Sequence, residues 1–167
     1  LSGAKQVVGN FFGTLRGNYG QDSYYNSLLW IMEANERAGN RVAFNFIPRQ
    51  SDPVRDNGFG LDAPGIRDLL RIIHERGHEI GFHPGYNTYD QPGTFSQSAT
   101  YFWKVMESEG IQQDKFGGRQ HYLRWNTPVT ARLWEENGFD YDSTLGFADH
   151  AGFRCGPLTL MAFLGSG

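Results

Sequence analysis

The chain repeats one unit four times: an amphipathic helical segment, a glycine, a short apolar strand and a polar loop. In the first unit, apolar residues recur at helical spacing within 22–40, and Gly39 ends the pattern. The segment 41–48 follows, in which apolar and polar residues alternate as in a strand. Because helices and strands alternate along the chain, the repeat predicts an α/β fold with parallel strands covered by helices.

The other three units follow the same order. Their helices are predicted at 62–77, 96–110 and 127–138, and their strands at 78–83, 117–125 and 139–146, with 158–163 as a further candidate strand. Asp62 and Thr127 are the expected N-caps of the second and fourth helices, and Pro128 is the expected first residue of the fourth. A β/α barrel and an open doubly wound sheet both fit this order. Since neither a G-x-G-x-x-G motif after a strand nor a P-loop is present, we favour a distorted or incomplete barrel.

With 167 residues the chain is long enough for one domain but not comfortably for two, so we treat 1–167 as a single domain. Leu1 is not a start methionine, and the final PLTLMAFLGSG stops just after an apolar, strand-like run. We therefore expect a fragment of a longer domain, or a chain from which segments are missing. No signal peptide begins at residue 1, which fits a mature, cytoplasmic or trimmed chain, and we favour a cytoplasmic over a secreted protein.

Charge and composition exclude several classes of partner. The net charge is -3 and the chain has no run of lysine or arginine, so nucleic acid is not an expected partner. No apolar stretch approaches the roughly 20 residues of a membrane-spanning helix. Cys155 is the only cysteine, which excludes an intrachain disulfide and a cysteine-rich zinc site.

Polar side chains collect where the predicted strands end. In β/α folds, ligands bind at this carboxyl edge, where the strands give way to loops. The residues concerned are His83 and Asn87 after the second strand, Arg119, His121 and Arg124 on or after the third, and Asp142, Ser143, Asp149 and His150 after the fourth. Three strand exits that deliver such side chains to one rim predict a functional site there.

His83 is the last residue of its predicted strand, and Pro84-Gly85 directly after it cannot continue a strand. A histidine in this place is held by the sheet and can point into the mouth of a barrel, where a metal or a substrate could approach. The structural alternative is a half-buried histidine whose ring is hydrogen-bonded to a backbone carbonyl. His78 begins the same strand, roughly 16 Å away at the usual strand rise, so we expect it outside the site.

The arginine and aromatic residues near these exits also have structural alternatives. Arg119 could hold a carboxylate such as Asp142 in its ionised form, although a purely structural ion pair would give the same pattern. Several aromatic residues flank the polar ones and would form either a sugar-stacking rim or part of an aromatic core. The candidate substrate-binding residues are Tyr86, Tyr122, Arg124, Trp125 and Asp149.

Three segments, taken in order, resemble the polysaccharide deacetylases, the NodB homology family, over about residues 22–161. RGHEIGFH is similar to that family's second motif, roughly G-H-E-[IV]-[GA]-[NS]-H, whose last histidine binds a metal and matches His83. GGRQHY resembles the arginine motif R-x-P-[YFW], in which Arg119 matches the arginine that orients the catalytic aspartate, and His121 stands in place of the proline. YDSTLG resembles the later D-[SA]-[WST] segment, which puts Asp142 on the rim.

The resemblance implies a distorted (β/α)7 barrel that acts as a carbohydrate deacetylase, a hydrolase of C–N bonds other than peptide bonds. It implies a divalent metal ion, zinc above all, and an N-acetylated sugar or polysaccharide as the substrate. The whole pattern is similar to a divergent branch of the family found with bacterial surface-polysaccharide biosynthesis. In this interpretation His83 is a metal ligand and Arg119 orients the catalytic carboxylate. His121 or His150 would protonate the leaving amine.

The chain departs from the family pattern at three places. The aspartate motif that supplies the family's base and one metal ligand has no match in 1–22, where it is expected. Asn87 or Thr88 stands where the family has its second metal histidine, and asparagine is a weaker zinc ligand that offers a carbonyl oxygen. Met161-Ala162 occupies the place of the late, acid histidine.

These departures leave alternatives open. His121 or His150 could replace either missing histidine, and the base would be an aspartate upstream of Leu1 or, failing that, Asp142. The alternative function is a catalytically degenerate, deacetylase-like barrel that binds or modifies glycan without the metal triad. A third is a β/α barrel that acts on another small metabolite.

Overall fold

The computed structural model describes residues 23–58 and 60–147. Helices and strands alternate along this part of the chain, as the sequence predicts. The helices are α1 (Ser23–Arg37), α2 (Pro64–Glu75), α3 (Pro92–Ser108) and α4 (Val129–Glu136). The strands are β1 (Ala43–Phe46), β2 (Glu79–Phe82), β3 (Gly117–Gly118) and β4 (Tyr141–Asp142), and a turn of 3₁₀ helix covers His121–Leu123. Within the described ranges, no helix combines the length and the apolar character that crossing a membrane requires.

The described strands form one parallel sheet whose spatial order is their order in the chain. Phe46 of β1 pairs with Phe82 of β2. Phe82 also pairs with Gly118 of β3, and Gly118 pairs with Asp142 of β4. Parallel pairing brings the carboxyl ends of all these strands to the same edge. Among the described residues the sheet neither reverses its strand order, as a doubly wound sheet does, nor closes into a barrel. The structure is therefore an α/β sheet, compatible with an incomplete α/β fold.

An aromatic core holds the centre of this sheet in place. Phe82 is fully buried, and its ring stacks on Phe139 at 4.4 Å between centroids. The rings of Phe95, Phe102 and Trp134 meet it edge-on, each at 5.4 Å. Burying a side chain of this size contributes about 1.5–3 kcal/mol, and each aromatic pair adds about 0.5–1.5 kcal/mol. The last residue of β2, and with it the start of the loop that follows, is therefore fixed by contacts from α3 and α4.

The helix ends agree with the sequence better than the helix starts. The glycine predicted to end each helix has a positive φ in all four units, at Gly39, Gly77, Gly110 and Gly138. The predicted N-caps are wrong, because α2 begins after Ala63 rather than Asp62, and α4 begins at Val129 with Pro128 as its N-cap. The Thr127–Pro128 peptide is cis, and the Thr127 hydroxyl accepts a hydrogen bond from Trp125 Nε1 instead of capping the helix.

Helix α3 begins at Pro92, four residues before the predicted segment. Pro92-Gly93 resembles a turn in the sequence, but a proline fits the first position of a helix, where its missing N–H is not needed. The predicted segment at 96–110 is thus the later part of a helix that starts next to the loop after β2.

Strands β3 and β4 are much shorter than the predicted 117–125 and 139–146. After Gly118 the chain leaves the sheet, and the fully buried Gln120 side chain donates to the Thr88 hydroxyl. Tyr122 and Leu123 then adopt positive φ values of 56° and 52°, which no strand permits. The candidate strand at 158–163 lies outside the described residues.

Gly118 gives a direct test of the sheet. A Cβ at this position would lie well inside contact distance of the Phe82 carbonyl, which is backbone and cannot move aside. We expect Gly118→Ala to lower the free energy of unfolding by about 3 kcal/mol or more. In Gly93→Ala the new Cβ meets nothing within 4 Å, so this control should fold with wild-type stability. Urea unfolding measures both, and a Gly118→Ala variant as stable as the control would contradict the pairing of β2 with β3.

Candidate functional site

Two histidines meet at the carboxyl edge of the sheet. His83 directly follows β2, and His121 is the first residue of the 3₁₀ turn after β3. Nε2 of His83 lies 2.9 Å from Nδ1 of His121, and the two rings stand edge to face with centroids 4.8 Å apart. The exits of two adjacent strands therefore converge on one histidine pair, His83 and His121.

The other ring nitrogen of each histidine faces a backbone carbonyl. Nδ1 of His83 lies 2.5 Å from the Arg119 oxygen, and Nε2 of His121 lies 2.9 Å from the Arg55 oxygen. A carbonyl oxygen only accepts hydrogen bonds, so both of these nitrogens carry a proton. His83 Nε2 and His121 Nδ1 then have two possible arrangements. They share one further proton, which gives the pair one positive charge, or each directs a lone pair toward a common point. Histidines that bind metals usually have their second nitrogen held in this way.

The buried carboxylate of Asp56 lies near Nε2 of His121, whereas His83 lies at Nδ1 of the same ring. Asp56 Oδ2 accepts from the Ser51 N–H, the Ser51 hydroxyl and the Asp52 N–H at 2.6, 2.7 and 2.8 Å. Its Oδ1 accepts from the Tyr86 N–H at 2.7 Å and lies 3.6 Å from His121 Nε2. Burial by itself raises the pKa of Asp56, but the hydrogen bonds outweigh it and hold that pKa below its ordinary value. Asp56 is therefore ionised, with its negative charge beside His121.

His83 is neutral at physiological pH. Burial lowers the pKa of His83 to about 4, against the opposing effect of the hydrogen bond to the Arg119 carbonyl. The nearby His121 and Arg119 lower it further. Neutral imidazole is the form that binds a metal or accepts a proton, so the site keeps this ring in its reactive form.

An arginine–tyrosine cluster lies next to the pair and consists of Arg55, Tyr86, Tyr89, Tyr122 and Arg124. The Tyr86 ring has the guanidinium of Arg124 4.0 Å and that of Arg55 4.6 Å from its centroid. Arg124 also lies 3.9 Å from the Tyr89 centroid and donates to the Tyr86 carbonyl at 2.9 Å. Tyr122 meets both Tyr86 and His121 edge-on, yet 64% of its surface is exposed. The cluster thus presents an aromatic face beside the histidines.

Arg119 and Asp142 also lie at this edge, but in different surroundings from those predicted. Arg119 is exposed, and its Nε donates to the Ser143 hydroxyl at 3.4 Å. The Asp142 carboxylate accepts from the Thr144 N–H at 2.9 Å and from the Thr144 hydroxyl at 2.5 Å. The predicted Arg119–Asp142 pair is not among the ion pairs of the described residues.

The other predicted site residues divide into three groups. Asn87 is exposed, and its amide donates to the Ser51 carbonyl at 3.0 Å, so its described contacts are with the loop after β1 rather than with the histidine pair. Trp125 packs partly against the core. Asp149 and His150 lie outside the described residues, so their roles stay predictions.

His78 lies at the opposite end of β2, as expected. It is buried, its Nδ1 accepts from the Val42 N–H at 3.2 Å, and its Nε2 faces Glu36 at 3.2 Å. These contacts join α1 and β1 to the start of β2, which is a structural role.

Arg55 and Asp56 are the site residues that the sequence did not reveal. They lie in a loop rich in Asp, Gly and Pro that has no periodicity and no recognisable motif. Its position in the chain was the one usable signal, because the loop follows β1 and therefore begins at the carboxyl edge of the sheet, like the loops after the other strands. Ligands bind at this edge in β/α folds, so the same rule places this loop beside the site.

The histidine pair supplies two nitrogens suited to a metal ion, and among the described residues no third ligand lies near it. Across 23–58 and 60–147, no three His, Cys, Asp or Glu side chains are grouped closely enough to hold a metal. Asp56 does not serve as the third, since hydrogen bonds from protein groups already occupy both of its oxygens. The residues present therefore fit two ligands of a metal site.

Comparisons with known proteins yield no relatives. No protein-family model matches the chain, and neither a curated protein nor a solved structure matches it.

The pKa of His83 predicts how stability depends on pH. The folded state holds this pKa at about 4, below the ordinary 6.5, so between these values the unfolded chain binds more protons. The contribution is fully present above pH 6.5 and is lost as the pH falls toward 4, by up to about 3 kcal/mol. We expect urea unfolding at pH 7 and pH 4.5 to show a larger loss for wild type than for His83→Gln. Equal losses in the two proteins would show that His83 is not buried in its neutral form.

Proposed function

We propose that the protein is a metal-dependent hydrolase that removes acetyl groups from an N-acetylated sugar or polysaccharide. One observation carries the proposal: Nε2 of His83 and Nδ1 of His121 converge at the edge of a parallel sheet while backbone carbonyls hold their other nitrogens. The motifs around these two residues support it, because GHEIGFH and GRQHY resemble two motifs of the polysaccharide deacetylases. On this proposal the described sheet is part of a distorted (β/α)7 barrel.

His83 and His121 would hold a divalent ion, of which zinc suits imidazole ligands best. In this assignment His121 is the second metal ligand, a role that the sequence motif predicts for Asn87. The third ligand would come from an aspartate outside the described residues. When bound, such an ion polarises a carbonyl and lowers the pKa of a coordinated water.

The remaining catalytic roles belong to residues of the chain itself. Arg119, exposed beside His83, would orient the carboxylate that takes the proton of the attacking water. That carboxylate is the upstream aspartate in preference to Asp142, whose oxygens already accept bonds from Thr144. With His121 as a ligand, His150 is the candidate that protonates the leaving amine.

The arginine–tyrosine cluster would bind the sugar. The exposed Tyr122 ring offers a flat apolar face to the C–H face of a pyranose, next to the histidine pair. Arg55 and Arg124 provide N–H donors for the hydroxyl groups of the ring. Tyr122 and Leu123 are consecutive residues with positive φ, and this backbone conformation sets the position of the Tyr122 ring. The conformation costs about 1–2 kcal/mol of conformational free energy per residue. Backbone strain of this kind is concentrated at functional sites.

The second candidate function is a degenerate barrel that binds or modifies glycan without metal chemistry. The observation that favours it is the number of ligands. Within the part of the chain that the structure describes, two nitrogens are grouped, and a working zinc site needs at least three protein ligands. The aromatic face at Tyr122 would serve this function equally well.

The full-length protein distinguishes the two functions. For the hydrolase we expect about one zinc per chain by elemental analysis, together with acetate release from N-acetylated oligosaccharides. We expect His83→Ala to bind no metal and to release acetate at least about 100-fold more slowly than wild type. Replacing even the hydrogen-bond partners of metal ligands typically costs 10–100-fold in metal affinity or activity. His74→Gln changes a half-buried histidine within α2 and should keep both properties.

Three results would count against the hydrolase. Metal bound equally well by His83→Ala would remove His83 from the site. Full-length protein with no metal and no acetate release, but with glycan binding that Tyr122→Ala weakens, would leave the degenerate barrel. A protein that neither binds nor deacetylates glycan would contradict both functions.

A further inference from the structure

The Asp56 carboxylate joins the exits of three strands. Its Oδ2 binds the loop after β1 through Ser51 and Asp52, and its Oδ1 binds the turn after β2 through the Tyr86 N–H. The same Oδ1 lies 3.6 Å from His121 in the turn after β3. The side chain of Asp56 is fully buried, so these contacts are made without competition from water.

The anchoring of Asp56 determines what His121 faces. The Arg55 carbonyl belongs to the peptide bond that joins Arg55 to Asp56, so holding the Asp56 side chain holds this oxygen too. That oxygen lies 2.9 Å from His121 Nε2, and the negative charge of Asp56 lies on the same side of the ring. Both favour a proton on Nε2. Nδ1 is then the nitrogen that faces His83.

Gly85 shows how closely the turn after β2 approaches this carboxylate. A Cβ at Gly85 would lie well inside contact distance of Asp56 Oδ2 and of the Ser51 hydroxyl. A glycine after Pro84 is therefore required by the packing of the turn against Asp56. The break in the chain right after His83 allows the turn to reach the carboxylate that also holds His121.

We propose that Asp56 is a positioning residue for the histidine pair. It fixes His121 with Nε2 protonated and Nδ1 directed at His83 Nε2, so that the two ring nitrogens meet at one point. The proposal rests on the histidine pair being the site of the proposed function, but it does not depend on acetyl groups being the substrate.

The direct test is the protonation pattern of His121 in metal-free, full-length protein with ¹⁵N-labelled histidine. Asp56→Asn keeps the size of the side chain, but its single oxygen cannot accept from both the Ser51–Asp52 loop and Tyr86. Long-range ¹H–¹⁵N spectra should show His121 protonated at Nε2 in wild type and a mixture of tautomers in Asp56→Asn. Asp140→Asn is the control, because Asp140 accepts from the Phe116 N–H at the other end of the sheet.

Zinc affinity, measured by calorimetry with zinc alone, gives a second readout. We expect Asp56→Asn to bind zinc 10–100-fold more weakly than wild type, and Asp140→Asn to bind it equally well. Wild-type protein that binds no zinc would contradict the proposed function, while the nitrogen spectra would still decide the role of Asp56.

Folding of each variant is checked by its circular dichroism and thermal unfolding. If Asp56→Asn does not fold, Ser51→Ala replaces it, since this change removes one hydrogen bond to Oδ2 and should shift the tautomers in the same direction by less. Unchanged His121 spectra in the folded variant, with zinc affinity within about twofold of wild type, would overturn the proposal.

Discussion

The parallel pairing of β2 with both of its neighbours fixes the position of the histidine pair. The hydrogen-bond ladder continues one step beyond the strands, from the His83 N–H to the Phe46 carbonyl and from the Arg119 N–H to the Phe82 carbonyl, at 2.9 and 3.0 Å. His83 and Arg119 therefore leave the sheet side by side. Because aromatic rings from two helices surround Phe82, β2 cannot shift its register without opening the core.

The chemistry of the site follows from a competition between burial and hydrogen bonding. Burial favours the neutral form of every ionisable group, and for His83 it dominates, so the pKa falls to about 4. At Asp56 the hydrogen bonds dominate, so the carboxylate stays charged although it is buried. A neutral imidazole and a fixed negative charge thus lie on opposite sides of His121. This arrangement orients His121 between them and leaves one nitrogen of each histidine for a shared partner.

Much of the fold could be predicted from local signals. Helical periodicity and the four helix-ending glycines placed the repeating units, and the rule that loops at the carboxyl edge carry the site led to both His83 and His121. What local signals missed depends on contacts between distant parts of the chain. The position of Asp56 depends on Tyr86 and His121, and the residue after Arg119 at the end of β3, Gln120, bonds to Thr88 in the turn after β2.

For Asp142 the difference runs the other way, because a long-range contact was considered and the described hydrogen bonds are local. Asp142 was a candidate long-range partner of Arg119, and the described hydrogen bonds of its carboxylate come from Thr144, two residues away. Aspartate forms such local bonds to nearby backbone N–H groups readily, and they need no precise placement of a second strand. A sequence pattern that brings two charges to one edge of a sheet does not decide between these two outcomes.

Two strand exits are held so that His83 Nε2 and His121 Nδ1 face each other. The most direct measurement is the nuclear Overhauser effect between the carbon-bound ring protons of His83 and His121, together with the ¹⁵N spectrum of His83, in metal-free, ¹⁵N-labelled, full-length protein near pH 7. A cross-peak between the two rings, with the His83 proton on Nδ1, is the predicted result. Two rings with no cross-peak, and with His83 Nδ1 free of a proton, would contradict the account.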